Sequence, residues 1–529
     1  MRRFGQRLSI STVAAALVVP AAMVIVGIGS ASAATCGRVP SDFNGDGHGD
    51  VAVGEPFRTV AGQQKAGAVR IVYGRSTGLT TTGNQYFDES SFPPIAVPVA
   101  GDEFGAETAT GYFNSDCYAD LAVGSPGGSP GAVVFVYGSA SGLVATTATR
   151  LTGTQVGMGT GGNDGFGSAM ATGDFNGDGM TDLAIGAYNG LLFNSLSAPR
   201  AGFIGVLYGA PVGLTISRSG YVDQDTPNVP GTAEAGDRFG WALAAGDFNG
   251  DGVSDLAVGV PGEDFGTATD GGTVTVLLGR APLPAGQGEG ISGTGSTDWT
   301  QNSPGVPGTA ESGDQFGYAL AAANVTGDGK ADIIVGTPDE SLGTLQQAGS
   351  VTVLPGAPAG ATGTGSSMWT QGSPGVPGGS EAGDLFGARL LTADFNGDGH
   401  ADVAIGAPGE SIGTLGQAGA VTVLYGTSSG ITGTASQLWS QDSGGIAGAS
   451  EADDNFGASL QAVPVISAAG RDLVVGTPGE DSGGLTDNGA IAVLRGGATG
   501  LSAAGNQFVD AVGLLHGAQT GGELSAPPE

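Results

Sequence analysis

The stretch Asp42-Phe-Asn44-Gly-Asp46-Gly-His48-Gly-Asp50 decides the reading of this chain, because it returns three times with almost no drift. The returns are Asp174, Asn176, Asp178, Met180 and Asp182; Asp247, Asn249, Asp251, Val253 and Asp255; and Asp394, Asn396, Asp398, His400 and Asp402, at places 1, 3, 5, 7 and 9 of each loop. Places 1, 3, 5 and 9 bring side-chain oxygens to one point. Place 7 adds a backbone carbonyl, so His48, Met180, Val253 and His400 count for their main chain only. Glycine at place 6 lets the chain turn sharply where other residues resist. Hard oxygens in a tight turn are what Ca²⁺ coordination requires.

An EF-hand is excluded, since it needs a glutamate at place 12 and a helix after the loop. Place 12 of the first loop is Val53, inside the short β-like run Val51-Ala52-Val53-Gly54, and similar runs follow the other loops. Two further loops depart from the pattern. Asn324, Thr326, Asp328, Lys330 and Asp332 keep its shape with fewer charges, so weaker calcium binding is expected there. Tyr112-Phe-Asn114-Ser-Asp116-Cys117-Tyr-Ala-Asp120 lacks the first carboxylate and has Cys117 in place of glycine, so binding there is weak or absent. A seventh segment, Pro464 to Asp472, keeps only its last aspartate and is expected to bind nothing.

The loops sit inside a longer repeat. After each comes a Gly-x-Pro step, as at Gly54, Gly124, Gly259, Gly336, Gly406 and Gly476, with Gly186-Ala-Tyr188 as the variant third. Successive glycines lie 70, 62, 73, 77, 70 and 70 residues apart, long enough for four short strands and their turns. A strand alternating in period two follows each step, beginning with Gly67 to Gly74. One four-stranded sheet per repeat, repeated radially, is a propeller; a solenoid needs caps and shorter repeats. The fold class is therefore all-β, a seven-bladed β-propeller over residues 34–529. Phe-Gly opens six repeats, at Phe104, Phe166, Phe239, Phe316, Phe386 and Phe456. Gly505-Asn-Gln-Phe508 echoes Gly83-Asn-Gln-Tyr86, and Gly521 to Ala526 loosely echoes Gly383 to Ala388, so the C-terminal tail is expected to complete the first blade.

Phe-Gly, the oxygen-rich loop and Gly-Ala-Pro in this order resemble the FG-GAP repeats of the N-terminal propeller of integrin α chains. The resemblance covers essentially all of residues 34–529. It implies seven blades, calcium loops on the lower face, and partner contacts on upper loops. Integrin α chains carry further domains and a transmembrane helix that this chain does not show.

Several upper loops are near copies, with Glu234 and Asp237, Glu311 and Asp314, Glu381 and Asp384, and Glu451 and Asp454. Loops after Gly-x-Pro add Glu263, Glu340, Glu410 and Glu480. They read either as a site for a cation or basic partner, or as aspartates capping turns and glutamates solvating loops. Trp299, Trp369 and Trp439 recur every 70 residues on the expected outer strand. Packing against the next blade explains them more simply than sugar stacking.

The formal charge is −33, and loss of Arg2, Arg3 and Arg7 with a leader would take it to about −36. That charge argues against nucleic acid and anionic membrane as partners. Residues 1–33 read as a secretion signal: the three arginines, an apolar run from Val13 to Ile28, then Ala31-Ser32-Ala33 as cleavage site. Cys36 and Cys117, the two cysteines, are then expected to pair as a disulfide outside the cell. The expected product is a secreted or cell-wall-associated monomer without membrane insertion. It would act as a calcium-stabilised binding or adhesion module for an extracellular protein or glycan. The alternative is a polysaccharide-active hydrolase or lyase, or a lectin, on the same ring. Catalytic residues are not identified: His48 and His400 fall at loop place 7, and His516 stands alone.

Overall fold

A computed structural model describes residues 37–156, 162, 164–191, 200–281, 290–465, 470–481 and 489–510. They form seven antiparallel meander sheets. Blade 2 is representative, with strands Thr108–Gly111, Asp120–Ser125, Ala132–Tyr137 and Val144–Thr152. Blade 1 has three described strands, Val51–Glu55, Ala68–Tyr73 and Thr80–Phe87. A two-stranded hairpin, Gly356–Ala357 with Gly360–Ala361, decorates blade 5. Among the described residues the only helical turns are Glu89–Ser91 and Gly153–Val156. No helix there is long and apolar enough to cross a membrane.

The second strand after each loop is buried along its whole length, as in Asp182–Ala187 and Asp402–Ala407. A continuous apolar run of that length, bounded by turns, suits a strand covered on both faces. Here the covers are the neighbouring blades. Seven apolar clusters fill the seven junctions. The last joins Val51, Val53 and Val72 of blade 1 to Val463, Val474 and Ile491 of blade 7, so the ring is closed. Gln507 reinforces the closure, accepting from Leu79 N at 2.6 Å and donating to Leu79 O at 3.0 Å. Closure leaves no open stack of sheets to recruit another chain.

The Phe-Gly step shows how each blade is hung on the one before. The six phenylalanines are fully buried in the junctions. Phe239 N donates to Ala201 O of blade 3 at 2.7 Å, while Gly240 N donates to Gly259 O of its own blade at 3.2 Å. Gly240 has φ +87°, and a Cβ on Gly202, its partner across the junction, would run into the Phe239 backbone. Both glycines are therefore required by geometry.

Gly505 to Phe508 lies in Ser502–Asp510, the fourth strand of blade 7, just as Gly83 to Tyr86 lies in the outer strand of blade 1. The echo marks equivalent outer strands. Gly521 to Ala526, the segment expected to complete the first blade, and the leader, residues 1–33, lie outside the described residues.

First strands of successive blades pack against one another and line the axis. Between them lies a cavity of about 140 Å³ bordered by Glu107, Ser168, Trp241 and Arg389. Trp241 is buried, edge-on to Tyr188 at 5.2 Å and beside Tyr318 at 5.4 Å. The repeat pattern held this signal: Trp241 and Tyr318 follow Phe-Gly where other blades carry alanine or serine.

Candidate metal centres

In blades 2 to 6 the nine-residue loop joins the first strand to the second, and the Asp42 loop leads into Val51–Glu55, the first described strand of blade 1. In a meander, turns one-to-two and three-to-four share a face, so all the loops lie on the same side of the ring. Three of the four conforming loops, at Asp42, Asp247 and Asp394, are wound alike. The Asp42 carboxylate accepts from Gly45 N at 2.7 Å, Asp46 N at 3.1 Å and Gly47 N at 2.8 Å. Asp247 and Asp394 each accept from the corresponding three groups. Asp174 holds Asp178 N and Gly179 N in the same way. Asn44 Oδ1 accepts from Asp46 N at 2.8 Å, and Asp46 Oδ1 from His48 N at 3.0 Å. Thus places 1, 3 and 5 turn their oxygens inward, while His48, Met180, Val253 and His400 enter the winding through their main chain, each donating its N–H to the place-5 aspartate.

Place 9 does something the spacing did not reveal. Asp50 Oδ2 accepts from Phe43 N at 2.9 Å and Oδ1 from Gly74 N at 2.8 Å, tying the loop to the end of the third strand. Asp120, Asp182, Asp255, Asp332 and Asp402 make the same two bonds. Asp472, in the segment expected to bind nothing, still accepts from Gly496 N at 3.0 Å. The last aspartate is therefore a clamp of the blade as well as a candidate ligand.

The loops are also linked to each other. The carbonyl of place 1 in one loop accepts from the N–H of place 8 in the next: Ala119 to Asp42, Ser254 to Asp174, Ala331 to Asp247 and Arg471 to Asp394, at 2.8–3.0 Å. Gly49 N reaches Pro464 O at 3.1 Å and carries the chain of loops across the ring closure.

The donor set fits a hard cation. Burial above all, with the charges of Asp42 and Asp46 adding to it, pushes Asp50 up to about 8. Burial likewise raises Asp182 and Asp255 to about 7 and Asp402 to about 6, with neighbouring loop aspartates contributing. Side chains at places 3 and 5 already touch, as in Asn176 Nδ2 to Asp178 Oδ2 at 3.1 Å. No three carboxylates close on one point among the described residues. A shell here would draw on the asparagine oxygen, the place-7 carbonyl and water as well.

The two departing loops differ from the others in ways that bear on a cation. Lys330 Nζ sits 2.7 Å from Asp328 Oδ2 and pulls that carboxyl below its ordinary range, so an internal cation occupies the charge. Replacing it, Lys330→Met, should tighten calcium binding at this loop severalfold, readable by calorimetric titration; unchanged affinity would mean the lysine does not compete. In the second loop Tyr112 stands at place 1 and donates to Val39 O at 2.7 Å, while Asn114, Asp116 and Asp120 keep their turn bonds. Cys117 in this loop is not a free thiol. Cys36 lies outside the described residues, so the disulfide stays a proposal.

On the opposite face the aspartates before Phe-Gly cap their turns: Glu311 N donates to Asp314 Oδ2 at 2.6 Å, and Glu381 N to Asp384 Oδ2 at 2.6 Å. The glutamates after Gly-x-Pro do not solvate loops. Glu340, Glu410 and Glu480 are buried, each receiving the amide of a glutamine 39 residues earlier: Gln301, Gln371 and Gln441. The fixed 39-residue interval was present in the sequence but crosses a blade junction. Trp299, Trp369 and Trp439 are half-buried in the junction clusters, as packing residues.

At the first junction Glu89 takes the glutamine's place beside Asp102. Burial and the hydrogen bond with Asp102 push Glu89 up to about 8. A raised carboxyl binds more protons folded than unfolded, so stability falls as pH climbs from the ordinary glutamate range toward 8. Glu89→Gln, the residue other blades use, should raise the melting temperature at pH 8 and leave it unchanged at pH 5. The gain is on the order of 1 kcal/mol per pH unit in between; identical pH profiles would refute a buried proton.

The FG-GAP repeat family matches residues 39–72, 166–207, 239–277, 316–354 and 386–424. A phosphatidylinositol-glycan-specific phospholipase D of Rattus norvegicus is 33% identical over 176 residues, covering 33% of this chain and 18% of that protein. Integrin alpha-PS5 of Drosophila melanogaster is 34% identical over 152 residues, covering 28% and 14%. Integrin alpha pat-2 of Caenorhabditis briggsae is 31% identical over 244 residues, covering 43% and 17%. The matched region is thus under a fifth of each of these relatives. The solved rhamnogalacturonan lyase YesW overlays with a TM-score of 0.33 at 12% identity over 79% of each chain, too loosely to bear on function.

Proposed function

We propose that this chain, an FG-GAP repeat protein with an integrin α-like propeller, works outside the cell as a calcium-stabilised binding or adhesion module for a protein or glycan partner. The observation that carries the reading is an apolar patch at the first junction. Phe57, Ile95, Val97 and Val99 are exposed, the last two by 67% and 50%. They lie on two neighbouring segments: Gly101 N donates to Gln64 O at 2.9 Å and Glu103 N to Lys65 O at 3.0 Å. Lys65 stacks over Phe57 at 4.9 Å, giving the patch a cationic edge in an acidic molecule. Clustered exposed apolar residues on a rigid frame mark a surface that meets another molecule.

The loop ions have a supporting part in this reading. Each fixes the turn between two strands, and the place-1 to place-8 bonds pass that rigidity to the next blade. Partner contact would then depend on calcium without touching it. The test is retention of partners by the purified protein from cell-wall fractions, polysaccharides and secreted proteins, in calcium and in chelator. A calcium-dependent partner lost on Val97→Asp with Val99→Asp supports the module. Retention unaffected by these changes moves the contact elsewhere, and turnover of a polymer by the protein would replace the reading with the enzyme alternative.

A further inference from the structure

The four junctions from blade 3 to blade 7 repeat one arrangement on the face opposite the loops. At the junction of blades 5 and 6, Gln371 comes from the end of an outer strand, Asp384 from the connection, and Glu410 from the loop after the next blade's second strand. Gln371 Nε2 donates to Glu410 Oε2 at 2.5 Å. Burial raises Glu410, and the nearby charges of Asp384 and Glu381 add to the effect. Gln301, Asp314 and Glu340 repeat this one blade earlier, and Gln441, Asp454 and Glu480 one blade later. Gln224, Asp237 and Glu263 are the first copy, with Gln224 Nε2 to Glu263 Oε2 at 2.7 Å.

In every copy the amide oxygen of the glutamine is buried and has no hydrogen-bond partner: Gln224, Gln301, Gln371 and Gln441. The last three are 1% exposed. At the last junction Asp454 Oδ1 is in the same condition. An orphaned buried carbonyl carries a desolvation cost, and four equivalent ones beside carboxylates that have no cationic partner among the described residues point to a missing positive group. The glutamates at the last three junctions are 7–8% exposed and the aspartates 0–2%, too enclosed for a lysine or arginine of another protein but open to a bare ion.

We propose that each of these junctions holds a hard divalent cation, Ca²⁺ in the first place, on the glutamate, the aspartate's second oxygen and the glutamine amide oxygen, with water completing the shell. Three segments from two blades supply the three donors, so the ion pins consecutive blades together on the face that the loop ions do not reach. The carboxylate charge explains why a glutamine, and not a second glutamate, stands in these copies. At the first junction Glu89 replaces the glutamine and Gly128 stands where the glutamate would be, so that junction is excluded.

The tryptophans make the test direct. Trp299, Trp369 and Trp439 stand two residues before Gln301, Gln371 and Gln441, on the blade edge away from the loops. Terbium, an oxygen-seeking stand-in for calcium, should therefore show tryptophan-sensitised emission in the full chain, displaced by excess calcium. The triple variant Glu340→Gln, Glu410→Gln, Glu480→Gln should lose most of that emission and bind three fewer calcium ions by equilibrium dialysis. A loop variant, Asp42→Ala with Asp174→Ala, should lose loop stoichiometry but keep the emission, which separates failure here from failure of the loop sites. Circular dichroism and melting in chelator establish that each variant is folded; Glu410→Gln alone serves if the triple variant is not, with one ion lost. Emission and stoichiometry equal to the unaltered protein would overturn the proposal and leave water on the glutamine oxygens.

Discussion

Withdrawing calcium should lower the stability of this propeller more than any single substitution. An ion present at about one hundred times its dissociation constant adds about 2.7 kcal/mol per site, so four complete loops add about 11 kcal/mol. The reason is visible in the loops: Asp42, Asp46 and Asp50 repel one another around a buried carboxyl, and no side-chain cation sits among them as Lys330 does on Asp328. Melting followed by circular dichroism in calcium and in chelator gives the difference. Asp178→Ala removes one ligand of one loop and should take away about a quarter of it, leaving in chelator only the small cost of the exposed Met180 N–H bond. Equal melting in both buffers would remove the structural ion from this account.

The second large effect belongs to place 9 and is independent of metal. Asp402→Ala leaves Phe395 N and Gly426 N buried without the carboxylate that accepts them at 2.8 Å each. Orphaning two buried donors costs about 3 kcal/mol. The loss should be the same in calcium and in chelator, whereas loss of a pure ligand vanishes in chelator. Asp472 sharpens the comparison. Its loop lacks the other carboxylates, yet Gly496 N still uses it at 3.0 Å, so Asp472→Ala should destabilise the chain without changing calcium stoichiometry. A silent Asp472→Ala would confine place 9 to metal binding.

Much of this was legible residue by residue. The oxygen-rich loop, the buried run after it and the Phe-Gly step are each complete within about ten residues and written in several copies. Local turn chemistry and strand periodicity therefore carry them. The reading of Asp237, Asp314, Asp384 and Asp454 as turn caps rests on a neighbour three residues away, and the structure bears it out. The reading of Glu340, Glu410 and Glu480 as solvated did not hold. Their surroundings are set by the outer strand of the preceding blade, which no local pattern describes.

The sequence by itself determined the number of blades, the order of strands, the position of every candidate loop and the glycines that permit each turn. These depend on interactions between residues close along the chain, repeated until chance is excluded. Only the tertiary structure decided what joins distant parts of the chain: the clamp from Asp50 to Gly74 within blade 1 and, between blades, the linked carbonyls of successive loops, the buried glutamine oxygens, and Trp241 at the axis. Those contacts join residues 24 to 84 positions apart, or across the closure of the ring. They exist because sheet twist and ring closure bring particular rows of neighbouring blades into register.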